Sequence, residues 1–254
     1  MSHLSFLARS LIFFSFVVMA FGMCSLEAFG KPQETKKKEI TFLEFSLPPA
    51  SDKKPDSIVV LLHGAGDIGE NFLFLGALLG QFLPNTLFVA PEGPITSKSI
   101  PGGKLWYSAS KNNKPQQLKE INALTPFLNE YLDSLLKKHN IPPERLALFG
   151  FSQGARIALH VGLRRPTCAG VVAFSGSYLN DPKAKNLSRP PILILHGTKD
   201  QKAPVALAKE SFKQLDALKM PVTLILLKGV EHDIDPQGLG IAGEFLRDCL
   251  HKEK

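Results

Sequence analysis

The stretch Gly150-Phe151-Ser152-Gln153-Gly154 decides the fold of this 254-residue chain. It fits the pattern G-x-S-x-G, and it lies between an apolar run typical of a strand, Leu146–Phe149, and a run typical of a helix, Gln153–Leu163. A serine on such a strand–turn–helix elbow has a strained backbone and an exposed hydroxyl, and the glycines let strand and helix approach closely. We therefore expect Ser152 to be a nucleophile; the alternative is a glycine-rich turn with a capping serine.

Runs typical of strands and of helices alternate on both sides of this elbow. Strands are predicted at Ile40–Leu47, Ile58–Leu62, Thr86–Ala90, Gly170–Phe174, Ile192–Leu195 and Val222–Leu227, and helices at Asn71–Leu83, Gln116–Lys138, Val205–Leu218 and Gly238–His251. Such alternation predicts an α/β fold with a mostly parallel central sheet and helices on both faces. Loops that carry chemistry are then expected at the carboxyl ends of the strands.

His232 is the histidine expected to act as the base. A serine hydroxyl is a weak nucleophile unless a neighbouring base accepts its proton. His232 lies in the loop Lys228–Asp233, between the last predicted strand and the last predicted helix, at the sheet edge where Ser152 is expected. The other six histidines lie in the N-terminal segment, within or at the ends of helices, or at strand ends: His3, His63, His139, His160, His196 and His251.

Asp200 is the carboxylate expected to orient that base. It follows the predicted strand Ile192–Leu195, and the order Ser152, Asp200, His232 is the one that serine hydrolases of this architecture use. Three other aspartates are weaker alternatives, because one follows the wrong strand and two are too near His232 in sequence: Asp181, Asp233 and Asp235.

Acyl transfer also needs backbone N–H groups that face the developing oxyanion. The residue after the nucleophile, Gln153, is expected to supply one, and Ala65 in the loop His63–Asp67 is expected to supply the other. The alternative for this second loop is a plain glycine-rich turn.

Two segments are candidates for contact with a substrate. Residues 93–115 are predicted to form a long loop, and its Leu105, Trp106 and Tyr107 either cap a pocket or pack the loop against the core. The uncharged segment Asn71–Leu83 is predicted to be a buried helix, with the wall of an acyl pocket as the alternative.

Composition restricts the kind of protein. A hydrophobic content of 44% suits one globular domain, predicted over residues 31–254. The net charge of +7 is spread along the chain with no nucleic-acid-binding motif, so solubility is the favoured interpretation and no nucleic-acid partner is expected. Oligomeric state is not predicted. Cys168 and Cys249 are expected to be buried free thiols, with a disulfide as the alternative.

Residues 1–30 have the layout of a secretory signal peptide. A weakly basic start precedes the apolar run Leu11–Met23, and Ala28-Phe29-Gly30 offers small residues for cleavage near Gly30. The apolar run is short for a membrane span, so export to the periplasm or the exterior is predicted. The alternative is an uncleaved anchor, which would be the protein's one membrane contact.

The chain resembles the phospholipase/carboxylesterase family, which includes carboxylesterases and acyl-protein thioesterases. The resemblance rests on Leu61–Glu70 (LLHGAGDIGE), Ala90–Gly93, Gly150–Ala155 (GFSQGA), His196–Asp200 and Gly229–Asp233. It implies an α/β-hydrolase fold, a serine hydrolase acting on carboxylic esters, thioesters or lysophospholipids, and no metal or organic cofactor. It places the triad on Ser152, Asp200 and His232, and the oxyanion donors on Ala65 and Gln153. The export leader departs from typical members.

Two other functions stay open from the sequence. An exported esterase that degrades polyester or feruloyl esters would suit the leader, although the motif pairing does not favour it. A catalytically silent binding protein on the same scaffold is the non-enzyme alternative, and the intact set of three residues argues against it.

Overall fold

The computed structural model describes residues 40–251 except residues 109 and 111. The predicted leader and its boundary at residue 30 lie outside the described residues. The strands are β1 Glu44–Leu47, β2 Ser57–Leu62, β3 Thr86–Pro91, β4 Ile95–Thr96, β5 Lys104–Leu105, β6 Leu146–Phe151, β7 Gly170–Phe174, β8 Ile192–Gly197 and β9 Val222–Leu227. The helices are α1 Gly69–Phe72, α2 Phe74–Leu79, α3 Lys114–His139, α4 Gln153–Gly162, α5 Val205–Ala217 and α6 Pro236–Leu250, with a 3₁₀ turn at Pro143–Arg145.

Seven of these strands form the central sheet, in the order β1-β3-β2-β6-β7-β8-β9. The edge strand β1 is antiparallel to β3, and every other pairing in this sheet is parallel. Every residue of β2, β3, β7 and β8 is buried, because both faces of the sheet are covered by helices. The carboxyl ends of the parallel strands therefore meet along one edge, as the sequence predicts.

The core consists of two layers, one on each face of the sheet. Ile58 and Val60 of β2 pack in the layer that contains the apolar residues of α3, α4 and α5. Val59 and Leu61 point to the opposite layer, which contains those of α1, α2 and α6. This division follows from the two-residue period of a strand. The mostly parallel sheet with helices on both faces, predicted from the sequence, is confirmed.

The prediction of one buried helix at Asn71–Leu83 is wrong in its boundaries, and only part of the segment is buried. The structure has two short helices, α1 and α2, which meet at Leu73. Leu75 and Leu79 are buried, whereas Phe74 and Leu78 are 60% and 46% exposed. Gly76 and Gly80 weaken the helix, and a helix on one face of a sheet buries a single stripe of its residues.

The segment predicted as an unstructured loop, residues 93–115, contains a small hairpin. Strands β4 and β5 are antiparallel, with Ile95 opposite Leu105. Pro101 and Gly102 form the turn between them, and Gly102 has a φ of +75° that favours glycine. Helix α3 also begins two residues earlier than predicted, because the Asn113 side chain accepts a hydrogen bond from the Gln116 N–H and caps it.

Both cysteines of the described residues are buried, and they are not joined by a disulfide. Burial raises the pKa of the Cys168 thiol to about 11, so it stays protonated at neutral pH. Within the described part of the chain, no helix has the length and hydropathy needed to cross a membrane.

Candidate active site

Ser152 lies on the sharp elbow between β6 and α4. Its backbone is strained, with φ 53° and ψ −111°, a conformation that costs roughly 1–3 kcal/mol in a residue other than glycine. Its N–H donates to the Phe174 carbonyl of β7 at 2.9 Å, which holds the elbow on the sheet. A Cβ on Gly154 would lie only 2.0 Å from the Leu62 carbonyl oxygen, so the helix packs against β2 only because this residue is glycine.

The Ser152 hydroxyl is the first member of a hydrogen-bonded chain of three side chains. Its Oγ lies 3.0 Å from Nε2 of His232, and Nδ1 of His232 lies 2.7 Å from Oδ2 of Asp200. A carboxylate only accepts hydrogen bonds, so Nδ1 carries the ring proton and Nε2 faces the serine as an acceptor. The structure thus brings together the three residues that the sequence singled out, at the carboxyl ends of β6, β8 and β9.

Asp200 is held by more than the histidine. Its side chain is fully buried, and its Oδ1 accepts a hydrogen bond from the Ala203 N–H at 2.8 Å. A second imidazole, that of His196, also approaches it, with Nε2 at 3.4 Å from Oδ2. From the sequence, His196 is predicted only as a strand-end residue, although it stands four residues before Asp200.

The alternative aspartates have other partners. Asp181 forms an ion pair with Arg164 at 3.0 Å. Asp233 and Asp235 accept hydrogen bonds from the backbone N–H groups of Ile234 and Gly238 respectively. Each carboxylate therefore stabilises local structure, and Asp200 is the one that contacts the His232 ring.

Two of the alternative histidines are also engaged elsewhere. His63 is buried; its Nδ1 donates to the Gly64 carbonyl and its Nε2 accepts from the Gly93 N–H. Its burial lowers its pKa and keeps it neutral. His160 contacts the Asn122 side chain through Nε2, and burial lowers its pKa to about 3.

The loop that contains Ala65 lies beside the nucleophile. A Cβ on Gly64 would lie 3.5 Å from the Ser152 Cβ, which places this loop against the elbow. Gln153 is the first residue of α4, where a backbone N–H has no partner within the helix. The structure therefore places the loop of Ala65 and the N-terminus of α4 next to Ser152, and the roles of the Ala65 and Gln153 N–H groups stay predictions.

The β4–β5 hairpin supports that loop from outside. The Gly66 N–H donates to the Lys104 carbonyl at 2.8 Å, and the Lys104 N–H donates to the Asp67 carbonyl at 3.0 Å. The indole N–H of Trp106 donates to the His63 carbonyl at 2.9 Å. The loop is thus fixed by two backbone hydrogen bonds and one from the Trp106 side chain, and no sequence motif signals them.

Trp106 and Tyr107 belong to the core rather than to the surface of a cleft. They are 1% and 5% exposed, and Trp106 packs among the apolar residues under the sheet. The Gln153 side chain bridges them: its Oε1 accepts from the Trp106 N–H at 2.7 Å, and its Nε2 donates to the Tyr107 carbonyl at 2.9 Å. These positions support the packing alternative, and a substrate contact stays a prediction for the partly exposed Leu105.

Two apolar residues near the site were missed from the sequence. The Phe151 ring lies 5.0 Å, centroid to centroid, from the His232 ring. A Cβ on Gly66 would lie 2.2 Å from Cδ1 of Ile100, so this residue, at 45% exposure, covers the loop of Ala65 at the hairpin tip. Phe151 is one of the two variable residues of G-x-S-x-G, and Ile100 lies in a hairpin that was not predicted, so neither carried a signal.

The sheet topology, the elbow and the hydrogen-bonded Ser–His–Asp chain define an α/β hydrolase. Residues 49–250 match the family model described as Phospholipase/Carboxylesterase. The chain therefore belongs to the phospholipase/carboxylesterase family of carboxylic ester hydrolases, which confirms the family and the enzyme class predicted from the sequence.

Individual relatives agree with this assignment. The chain is 27% identical over 202 residues to Esterase YpfH of Escherichia coli strain K12, covering 79% of this chain and 86% of that protein. It is 28% identical over 214 residues to Acyl-protein thioesterase 1 of Saccharomyces cerevisiae, covering 76% and 92%. The crystal structure of esterase PE8 superposes with a TM-score of 0.78 at 33% identity, covering 83% of this chain and 100% of that one.

Proposed function

We propose that this protein hydrolyses carboxylic esters through an acyl-enzyme formed on Ser152. The observation that carries the proposal is the continuous hydrogen-bonded chain from the Ser152 hydroxyl through His232 to the buried carboxylate of Asp200. The bound ester carbonyl is attacked by Oγ while His232 Nε2 accepts the hydroxyl proton. His232 then gives this proton to the leaving alcohol, and the acyl group stays on Ser152.

The second half of the reaction uses the same groups. Water enters after the alcohol leaves, His232 accepts a proton from it, and the hydroxide attacks the acyl carbonyl. Collapse of the tetrahedral intermediate releases the carboxylic acid and returns the proton to Ser152. Asp200 keeps the ring in the tautomer with the proton on Nδ1 and stabilises the imidazolium that forms in both halves.

The negative oxygen of each tetrahedral intermediate is assigned to the backbone N–H groups of Ala65 and Gln153. Support comes from the contact of the Gly64 region with Ser152 and from the place of Gln153 at the start of α4. A helix N-terminus carries partial positive charge and stabilises an anion. The hydrogen bonds from the hairpin and from the Gln153 side chain hold both donors in fixed positions.

The test of this proposal is the variant Ser152→Ala. It removes the nucleophile and leaves the elbow packing intact, so hydrolysis of p-nitrophenyl butyrate should fall by at least about 10³-fold while the thermal midpoint changes little. A fluorophosphonate probe should label the wild-type protein at Ser152 and leave the variant unlabelled. Retained turnover in the variant would refute the assignment, and a folded wild-type protein that resists the probe would favour a silent binding protein.

A panel of substrates on the purified protein defines the preferred ester. Acyl chains of increasing length, a thioester with the same acyl group, and feruloyl and hydroxybutyrate esters separate a carboxylesterase from a thioesterase and from a depolymerase. The apolar side chains of Phe151 and Ile100 beside the site support neutral acyl esters as the substrates. Preference for feruloyl or polymeric esters would contradict this part of the proposal.

We also propose that the protein is exported, on the basis of the apolar run Leu11–Met23 and the small residues before position 31. Expression of the full chain followed by N-terminal sequencing of the extracytoplasmic fraction tests it. A mature N-terminus near residue 31 is expected, and full-length protein in the cytosol would overturn the proposal.

A further inference from the structure

The buried imidazole of His196 touches the carboxylate of Asp200 and has no part in the reaction described above. His196 lies at the end of β8 and is fully shielded from solvent. Its Nε2 is 2.7 Å from the Ala203 carbonyl oxygen and 3.4 Å from Oδ2 of Asp200. Both of these atoms are acceptors, so Nε2 carries a proton; it donates to the Ala203 carbonyl, and Oδ2 of Asp200 lies beside it at contact distance. Its Nδ1 is buried and has no hydrogen-bond partner among the described residues.

The ring of His196 is neutral. Burial lowers its pKa most strongly, and the nearby His232 lowers it further, against the opposing effects of the Ala203 carbonyl and of Asp200. A second cation beside Asp200 would compete with the imidazolium of His232 for the same negative charge. A neutral imidazole holds the Ala203 peptide beside Asp200 and leaves the charge of the carboxylate available to His232.

His196 also lies where the loops of the acid and the base join. The Nε2–H of His196 donates to the Ala203 carbonyl, and the Ala203 N–H donates to Oδ1 of Asp200, so the backbone of Ala203 links the imidazole to the carboxylate. A Cβ on the next residue, Gly197, would lie 2.3 Å from the Val230 carbonyl oxygen, which brings the segment before His232 against the end of β8. The Lys199 N–H donates to that same carbonyl at 2.9 Å.

Few ionisable groups face this set of residues. Asp200 is approached by His196 from β8 and by His232 from the loop after β9. The charged residues that neighbour them in sequence are exposed to solvent: Lys199, Lys202, Glu231 and Asp233.

We propose that His196 is a positioning residue: its Nε2–H holds the Ala203 carbonyl, and the Ala203 N–H in turn fixes the rotation of the Asp200 carboxylate so that Oδ2 faces Nδ1 of His232. The inference rests on the proposed roles of Ser152, Asp200 and His232, and it adds a second imidazole that contacts no substrate atom. Because Gly197 packs against Val230, the end of β8 contacts both the loop of Asp200 and the segment before His232.

Three substitutions separate this role from mere filling of the core. In His196→Gln, the side-chain amide N–H occupies the place of Nε2–H. His196→Asn is too short to bring an N–H there, and His196→Leu removes the donor. We expect kcat to fall about tenfold or more in the Leu and Asn variants with KM changed less than about twofold, and His196→Gln to recover most of the loss.

The matched control is His160→Leu. His160 is equally buried, also has one contact through Nε2 and an unpartnered Nδ1, and lies on α4 away from Asp200. Its substitution should cost comparable stability while kcat of the folded fraction stays that of the wild type. The proposal is overturned if His196→Leu lowers kcat no more than His160→Leu does. It is equally overturned if His196→Gln and His196→Asn have the same kcat.

A spectroscopic measurement separates the failure of this inference from that of the proposed function. The Nδ1 proton of His232, hydrogen-bonded to Asp200, gives a low-field proton resonance that is recorded without substrate. This resonance should move or broaden in the His196→Leu and His196→Asn variants and stay in place in His160→Leu. An unchanged resonance in all three contradicts the positioning role. Lack of ester turnover in the wild type, with the resonance perturbed as expected, would contradict only the proposed function.

Discussion

At the scale of single residues, the carboxylate of Asp200 is buried, accepts hydrogen bonds from the Ala203 N–H and from Nδ1 of His232, and lies 3.4 Å from Nε2 of His196. An isolated buried carboxylate is strongly unfavourable, and N–H donors on all sides are what make it tolerable. The hydrogen bond from Ala203 to Oδ1 fixes the side chain, so that Oδ2 faces Nδ1 of His232.

The substitution Asp200→Asn tests this directly. The amide donates where the carboxylate accepted, so the His232 ring turns to the tautomer with its proton on Nε2 and cannot take the proton of Ser152. We expect kcat for p-nitrophenyl butyrate to fall by about 10³- to 10⁴-fold at neutral pH. The control, Asp181→Asn, removes a carboxylate that pairs with Arg164 and should leave kcat unchanged. Equal rates in the two variants would contradict the assignment of Asp200.

The sequence was sufficient for these residues because their order along the chain is diagnostic. Ser152, Asp200 and His232 each follow a strand whose apolar run is easily seen, so their convergence at one sheet edge was predictable. The roles of His196 and of the Gln153 side chain were not predictable. Both depend on the rotamer of one side chain and on the path of a loop, and neither leaves a periodic or compositional pattern in the sequence.

At the scale of secondary-structure elements, the contact between α4 and β2 requires glycine at position 154. The helix begins directly after the nucleophile, and a side chain there would overlap the carbonyl oxygens of both Leu62 and His63. The precise approach of helix and strand sets the distance from Ser152 to the loop of Ala65. The same packing therefore determines both the stability of the elbow and its chemistry.

Two alanine substitutions in helices measure this requirement. Gly154→Ala should lower the free energy of unfolding by about 3 kcal/mol, because the new methyl group has no space. Gly240→Ala, in α6, has nothing within 4 Å of its new Cβ and should raise the free energy of unfolding by about 0.5–1 kcal/mol. Urea unfolding of both variants gives the values, and a similar effect of the two substitutions would contradict the packing argument.

Sequence patterns predicted the elements buried on two faces better than those at the surface. The run Ile58–Leu62 is short and rich in β-branched residues, which favours a buried strand, whereas Asn71–Leu83 carries enough apolar residues for a buried helix and yet exposes Phe74 and Leu78. The β4–β5 hairpin has two residues per strand, which is too short for any periodicity to show.

At the scale of the whole molecule, the buried neutral histidines make the fold sensitive to acid. Burial lowers the pKa of His63, His160 and His196, so the unfolded chain takes up protons that the folded protein does not. For His160, the unfolded chain takes up this proton between the ordinary pKa of 6.5 and the pKa of about 3 in the folded protein. The contribution of His160 to the free energy of unfolding is therefore fully present above pH 6.5, and it decreases as the pH is lowered through this interval.

The variant His160→Gln tests whether His160 makes the protein less stable as the pH is lowered. The wild-type free energy of unfolding should decrease between pH 7 and pH 5, and the decrease should be about 2 kcal/mol smaller in the variant, because one of the proton-binding groups is gone. Urea unfolding at several pH values gives the comparison. Parallel pH profiles for the two proteins would show that His160 titrates alike in the folded and unfolded states.

The backbone hydrogen bonds between the β4–β5 hairpin and the segment Gly66–Asp67 have a consequence for engineering. The base of the hairpin is hydrogen-bonded at Lys104 to this loop beside Ser152, whereas Gly102 near the hairpin tip has open space around it. The tip around Ile100 is therefore a suitable position for randomised libraries or grafted loops. Changes there leave the hydrogen bonds at the base of the hairpin, and hence the loop of Ala65, in place.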